Sequence, residues 1–442
     1  MWDALLALGA AAVGVVVGLR GNIWLRRKTR HALARAVDFE YRQAVLGRNE
    51  SLSGTYRGFQ VRMRFPRGEP RADFELHPVA AGIFLFPNAT GTPGGGAPDA
   101  FVSGDPAFDD AIVARGNATT LLALLDADAR ESLAMHARDQ HIHVEDGLFR
   151  ARLAHPIDSV PRLTAALEAL TTIASHLVPV GTAAARLRER ATKDPRAEVR
   201  RAALEALATS MPDSAEARAA ALAAVVDPEP SVVLAAARML RADGLESLVA
   251  LARNELVPVE VRIDAFESAR TRMPKPESTQ FAATVLKALR PGVRAHALRA
   301  LAAEGALDQL PAIRARVLPS GGDAEEDTAA AEALGMLAHE ENEPALLLLL
   351  RRDAPAVRLA AIRSLGVSGS ASAVEALHAA GRDSRELANA CEQAIAAIHA
   401  RLSGAAPGQL AMANATDARG DLSVSTATSG AVALAPGTRE RN

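Results

Sequence analysis

The chain has 442 residues, of which 49% are hydrophobic, 3% aromatic and 23% charged, and its formal net charge is −2. A nearly neutral chain has no global electrostatic attraction to nucleic acid, and a lone cysteine, Cys391, excludes an internal disulfide framework and a paired-cysteine metal or redox site. The length accommodates two or three domains, and the abundance of Ala favours a helix-rich protein.

The first segment predicts a single transmembrane helix. Residues 4–19 carry no charge, and Trp2 and Trp24 lie about 33 Å apart in a helix, which matches a bilayer's hydrocarbon layer. Basic residues follow the apolar run instead of preceding it, which favours an uncleaved anchor over a signal peptide. We expect residues 1–25 to anchor the chain in a bacterial inner membrane, with the bulk of the chain cytoplasmic.

Gly14 and Gly18 form a GxxxG pattern within this anchor. The pattern permits weak self-association of two anchors, or it reflects composition alone. Residues 26–48 predict an Arg-rich juxtamembrane helix.

Residues 49–180 predict a small α+β domain. Phe59, Val61, Met63 and Phe65 alternate with polar residues, which is typical of a half-buried strand. Residues 101–117 are expected to be extended with turns, helices are expected near 118–138 and 159–176, and residues 141–153 predict a hairpin that turns at Asp146-Gly147. The segments resemble uncharacterised domains of bacterial membrane-anchored proteins, a resemblance that implies no known activity.

This domain holds the candidate for site chemistry. His141 and His143 stand two apart on an expected strand and so share one face, with His136 and His155 near in sequence. The pair is either the start of a metal site or two exposed polar residues. Because spacing provides no third ligand, we expect no metal and no cofactor. Asp105, Asp109 and Asp110 are interpreted as turn and cap residues.

A phrase repeats in the second half of the chain. DPRAEVRRAALEAL (194–207) returns as RDAPAVRLAAIRSL (352–365), and aligned positions recur at intervals of about 30 residues. We call the following residues the anchor residues: Val199, Val232, Val261, Val293, Glu326, Val357 and Leu387. Small residues stand four positions later and mostly Leu eight positions later, which predicts one buried helix face per unit. Two helices per unit indicate an α-solenoid over 183–402 with about seven repeats.

These units resemble HEAT-like repeats of the phycobilisome-lyase type, which carry a D-x-x-x-x-V-R pattern. Asp194 with Val199-Arg200 fits the pattern, whereas the fifth unit around residues 320–335 is degenerate. The resemblance implies a mainly α protein: a HEAT-like solenoid preceded by the α+β domain and the single anchor. Cys391 occupies the small-residue position that Ala fills in the other units, so we interpret it as a packed structural thiol.

The resemblance also implies enzymatic alternatives. Related solenoids act as bilin lyases, but aromatic residues for a chromophore groove are scarce here. Deoxyhypusine hydroxylase holds two irons with several His-Glu pairs, and this chain has one such pair, His339-Glu340. We expect no enzymatic activity and no catalytic residue. The alternatives are an enzyme accessory or metal-dependent enzyme acting through the α+β domain, or a lyase-like repeat protein.

Six positions after each anchor residue, the sign of charge alternates. We call these residues the charged row: Glu205, Arg238, Glu267, Arg299, Glu332 and Arg363. The row is either a series of ion pairs between successive helices that sets the register, or a groove that binds a protein partner. Alternating signs are unsuited to nucleic acid. Residues 403–442 are rich in small and turn-forming residues and predict a disordered tail.

Overall fold

The computed structural model describes residues 28–43, 49–66, 71–89, 98–153, 155–287, 291–317, 322–382, 385–402, 410–412 and 422–424. The chain divides into two compact units, Met1–Gly244 and Leu245–Asn442. This boundary falls inside the expected solenoid, so the first unit contains the α+β region together with the first helical repeats.

An antiparallel sheet of eight strands organises the first unit, in the order β1-β2-β3-β4-β8-β7-β5-β6. The strands are β1 (Glu40–Arg42), β2 (Glu50–Tyr56), β3 (Phe59–Phe65), β4 (Asp73–His77), β5 (Ile83–Pro87), β6 (Ile112–Gly116), β7 (His143–Glu145) and β8 (Leu148–Arg152). Strand β3 has the expected alternation, since Phe59, Val61, Met63 and Phe65 are buried and the polar residues between them are exposed. The strand interpretation of this stretch is confirmed.

The expected hairpin is also present, because β7 pairs with β8 across Asp146 and Gly147. Both turn residues have positive φ angles, 41° and 87°, as a tight two-residue connection requires.

In the described part of residues 28–180, five helices accompany the sheet: α1 (28–36), α2 (Pro106–Ala111), α3 (Ala118–Leu124), α4 (Ala127–Gln140) and α5 (Val160–His176). Two differ from expectation. The stretch 101–117 contains α2, capped by Asp105, and the helix expected over 118–138 is divided into α3 and α4 because Asp126 starts a new helix by capping Ala129.

The expected juxtamembrane helix is shorter than 26–48. Helix α1 ends at residue 36, and β1 then pairs with Ser51–Ser53 of β2. Leu33 and Phe39 are buried in the core of the sheet domain. As a strand, β1 forms backbone hydrogen bonds with the edge of β2, which a continued helix could not form. Residues 28–42 therefore belong to the folded domain.

Seven helix pairs follow in the described part of residues 183–402. Each pair consists of a first and a second helix: α6 (Ala183–Lys193) with α7 (Ala197–Ser210), α8 (Ala215–Ala224) with α9 (Pro230–Met239), α10 (Leu245–Arg253) with α11 (Val259–Arg270), α12 (Lys275–Val285) with α13 (Pro291–Glu304), α14 (Leu310–Arg314) with α15 (Ala324–Met336), α16 (Glu343–Leu350) with α17 (Pro355–Ser368), and α18 (Ala373–Ala380) with α19 (Arg385–Leu402). Within the second unit, α13, α15, α17 and α19 pack side by side in chain order.

Burial confirms the register of the repeats. All seven residues four positions after the anchor residues are buried: Ala203, Ala236, Ala265, Ala297, Ala330, Ala361 and Cys391. Burial raises the pKa of the Cys391 thiol. The anchor residues are buried as well, except for Val261, whose neighbour Arg262 is buried instead.

The first repeat shares its core with the α+β region. Helices α6 and α7 pack against α3, and Leu122 and Ala123 lie in one apolar cluster with Leu187 and Val199. The small helix α3 therefore covers the end of the repeats that belong to the first unit.

The predicted membrane anchor, residues 1–25, lies outside the described residues. In the part of the chain that the structure describes, no helix combines the length and the hydropathy needed to cross a membrane. Within the predicted disordered tail, β9 (Leu410–Met412) pairs with β10 (Leu422–Val424), and the rest of the tail is outside the described residues.

Candidate functional site

The charged row lies on the exposed side of the second helices. Glu205 and Arg238 belong to the first unit, and the other four members belong to the second unit. Glu332 and Arg363 are exposed, whereas Glu267 and Arg299 are half-buried. The positions are polar because the buried face of each helix is already occupied by the anchor residues and the residues four and eight positions later.

An expected contact between successive helices forms in the second unit. Arg299 on α13 donates from Nε to Glu332 Oε2 on α15 at 3.1 Å, and its Nη1 lies 3.4 Å from Glu325 Oε1. This pair supports the interpretation of the row as a device that sets register.

The row is not a continuous series of ion pairs, which corrects the prediction that each member meets the next. Glu267 accepts from Arg270 Nε at 2.6 Å and lies 3.2 Å from His296 Nδ1, while Glu205 pairs with Arg201 of its own helix at 3.4 Å. Residues three or four apart on a helix are neighbours, so a cation on the same helix competes with the cation of the next helix.

Arg363 differs from Arg299, because it is exposed and has no ion pair in the described part of the chain. It lies at a depression of about 420 Å³ between α17 and α19. Its lining mixes apolar side chains such as Leu359 and Val367 with polar ones, namely Glu386, Asn389 and Gln393.

Two large apolar side chains are exposed on the same helix faces. Met336 is 63% exposed and Val367 is 55% exposed, and each stands ten positions after an anchor residue. Each of them stands four positions after a member of the charged row, which places them on the same side of α15 and α17. Met336 and Val367 were not identified from the sequence, although both can be found by counting ten positions from the anchor residues of their repeats.

Small residues make these helix contacts close. A Cβ on Gly335 would lie 2.3 Å from Ser364 Oγ, and a Cβ on Gly366 would lie 3.2 Å from the Cα of Ala394. Ser364 Oγ donates to the Ala331 carbonyl across the α15–α17 contact at 2.7 Å. The contact positions the exposed side chains rigidly.

The degenerate fifth unit has its own polar core. Glu326 replaces the usual Val and is buried, with Arg294 at 2.5 Å and Arg316 at 3.0 Å. Next to it Asp327 lies 2.9 Å from Arg352, and burial raises the pKa of the Asp327 carboxyl despite that neighbour. These charged side chains pair with one another inside the repeats and are separate from the charged row.

The V-R element also has a structural role. Arg200 donates two hydrogen bonds to Asp227 of the next repeat, at 2.8 and 2.7 Å. Burial opposes ionisation of Asp227, but the bonds from Arg200 outweigh it and lower the pKa of this carboxyl.

The histidines of the α+β domain are arranged differently from the prediction. His141 is not on the strand, because it ends α4 in a left-handed conformation with φ 43°. His143 begins β7 and lies edge-on to the Phe86 ring, with 5.7 Å between centroids. Burial, and then the charges of His141 and Arg150, lower the pKa of His143.

Both histidines line a depression of about 460 Å³ on the sheet, whose other charged residues are paired, such as Arg152 with Asp73 at 2.6 Å. Among the described residues, no three His, Cys, Asp or Glu side chains are grouped so that they could hold a metal ion. His136 lies on α4, and His155 is exposed after β8.

Of the three aspartates interpreted as turn and cap residues, Asp105 is a helix cap, whereas Asp109 and Asp110 lie within α2. Asp105 caps α2, and Asp109 accepts from the backbone of Ser103 at 2.9 Å and of Gly104 at 3.1 Å. Burial raises the pKa of Asp109.

Comparison with known proteins supports the repeat assignment. The HEAT repeat family model matches residues 317–396, so this stretch is similar to HEAT repeats. No curated protein sequence matches the chain.

Among solved structures, the chain is similar to the mycobacterial trehalose monomycolate transport factor A, TtfA, with 14% identity over 35% of this chain and 97% of that one, at a TM-score of 0.26. It is also similar to human deoxyhypusine hydroxylase, with 23% identity over 54% of this chain and 91% of that one, at a TM-score of 0.25. Both similarities are too remote to bear on function.

Proposed function

We propose that this HEAT-repeat chain is a non-enzymatic scaffold, tethered to the bacterial inner membrane by residues 1–25, whose second helices bind a protein partner. HEAT repeats commonly mediate protein–protein contacts, and an extended row of parallel helices provides a broad surface for them. The observation that carries the proposal is the exposed side of α13, α15, α17 and α19. It combines charged side chains with exposed Met336 and Val367.

Large exposed apolar side chains at matching positions of neighbouring helices are typical of an interaction surface. Exposed apolar residues without a function are usually scattered singly over the surface. Mixed charge around them provides specificity without attracting nucleic acid. The tether is supported by the uncharged segment 4–19 and by the basic residues that follow it.

Site-specific photocrosslinking in native membranes tests the proposal. The photoreactive residue benzoylphenylalanine replaces Gln393, which is exposed on α19 six positions after its anchor residue and is uncharged, so the ion pairs stay intact. The matched control places it at Ala379, exposed on α18 of the same repeat. We expect a discrete protein adduct at 393 and none at 379. Absence of a protein adduct at 393, or equal labelling at both positions, would contradict the proposal.

A further inference from the structure

We propose that the face formed by α15, α17 and α19 binds an amphipathic helix of the partner, whose apolar stripe covers Met336 and Val367 and whose flank carries a carboxylate that pairs with Arg363. The inference rests on the proposed function and names the chemical class of its partner.

The apolar contacts come from equivalent positions of neighbouring repeats. Met336 ends α15, and Val367 lies in the last turn of α17, each ten residues after its anchor residue. In the next repeat the equivalent position is Ala397, which is exposed and lines the depression beside Val367. The three side chains therefore run across the packed helices instead of along one of them.

The spacing of these side chains favours a helix as the occupant. Packed helices lie about 8–10 Å apart. Residues i and i+7 of an α-helix lie on one face about 10.5 Å apart, which is close to the upper end of that range. Side chains on one face of a strand recur about every 6.7 Å, which lies below that range.

Arg363 selects the charge of the flank. It precedes Val367 by four residues, so it lies about 6 Å to one side of the apolar line. Arg299, the preceding cation of the row, is already neutralised by Glu332 and Glu325, whereas Arg363 has no ion pair in the part of the chain that is described. Glu386 also lines the depression but lies beyond ion-pair distance of Arg363.

A carboxylate from the partner would therefore find one uncompensated cation beside an apolar surface. Such a pair adds specificity because a basic flank at the same place is repelled. Beside the depression, Gly366 packs closely against Ala394, so α17 and α19 form one continuous surface next to Val367.

Selection from a display library of random peptides tests the inference. The full chain in detergent micelles is used as bait, in parallel with Arg363→Glu and with the matched control Arg382→Glu. Arg382 is exposed in the turn after α18 and, within the described residues, has no ion pair. We expect the wild type and Arg382→Glu to enrich peptides with apolar residues at i and i+7 and Asp or Glu on one flank. Arg363→Glu is expected to enrich Lys or Arg there.

A second measurement checks the apolar contact. The affinity of a selected peptide, measured by fluorescence anisotropy, should fall at least about tenfold for Met336→Ser/Val367→Ser, since two buried apolar contacts are lost. Recovery of no peptide, retention of acidic flanks against Arg363→Glu, or unchanged affinity for the double variant would overturn the inference.

The two tests fail separately. A protein adduct at position 393 without acidic helical peptides would leave the scaffold proposal standing and reject this partner class. Acidic helical peptides that depend on Arg363, without any adduct in membranes, would support the binding chemistry and reject the scaffold proposal.

Discussion

Arg130 and Asp194 form a bidentate ion pair that is almost closed to solvent. Nη1 and Nη2 of Arg130 lie 3.0 and 2.9 Å from the two carboxylate oxygens, and the side chains are 1% and 0% exposed. Arg130 also donates to the Leu125 carbonyl at 2.9 Å and to Asp105 at 3.1 Å. Asp194 is the acidic residue that opens the first repeat, so this pair fastens the repeat to α4.

Removing Arg130 should be costly. Arg130→Met leaves the Asp194 carboxylate buried without its charge partner, and we expect the free energy of unfolding to fall by about 3–5 kcal/mol. The matched control is Arg218→Met, whose partner Asp243 lies 2.7 Å away in the same unit with both side chains more than half exposed. That pair should contribute about 0–1 kcal/mol. Urea unfolding followed by circular dichroism measures both, and equal losses would contradict the role of burial.

At the scale of helices, the close contact between α15 and α17 depends on a glycine, which has no side chain. Gly335 faces Ser364, and an added Cβ would lie 2.3 Å from Ser364 Oγ and 3.0 Å from its Cα. The backbone cannot yield easily because Ser364 is buried and bonded to Ala331. The closeness of these helices also positions Met336 and Val367.

Gly335→Ala should therefore destabilise the second unit, by about 1–3 kcal/mol through overpacking. Gly381→Ala is the matched control in the same unit, since its nearest new contact would be at 3.4 Å and its φ is −67°. This control is expected to be neutral or to stabilise by up to about 1 kcal/mol. Thermal melts of the two variants provide the comparison. A harmless Gly335→Ala would show that the helices separate without cost.

At the scale of the whole chain, the proposed tether and the folded part meet near α1. Leu33, Ala34 and Phe39 are buried in the core of the sheet domain, and β1 extends that sheet. A fragment meant to lack the anchor must therefore begin at about residue 28 and not at 49, because the later start removes part of the core.

Membrane fractionation tests the tether. We expect the full chain to sediment with membranes and to resist carbonate extraction, because an apolar helix over residues 4–19, once inserted in a bilayer, is not released by high pH. The fragment 28–442 should remain in the supernatant. Release of the full chain by carbonate would reject the anchor, and digestion of the repeats by protease added outside spheroplasts would reject the proposed orientation.

The number and register of the repeats could be predicted from sequence alone. Each helix pair has a small residue at the same place, and Ala297, Ala330 and Cys391 are buried as that rule requires. The alternating burial of strand β3 and the turn at Asp146-Gly147 could also be predicted from the sequence. Helical and strand periods are local properties, so a linear pattern contains them.

Which charged residues form ion pairs could be determined only from the tertiary structure. Glu267 pairs with Arg270 and His296 and not with Arg299, and Asp194 pairs with Arg130, which is 64 residues away in the chain. The residues after α1 likewise joined the sheet as β1 instead of continuing a helix. These pairings depend on which charged groups folding brings close together. The buried face of each helix, in contrast, follows from the spacing of apolar residues within that helix. The sequence alone therefore specified the helical repeats, and the packing of distant segments determined which charged side chains remained exposed to bind a partner.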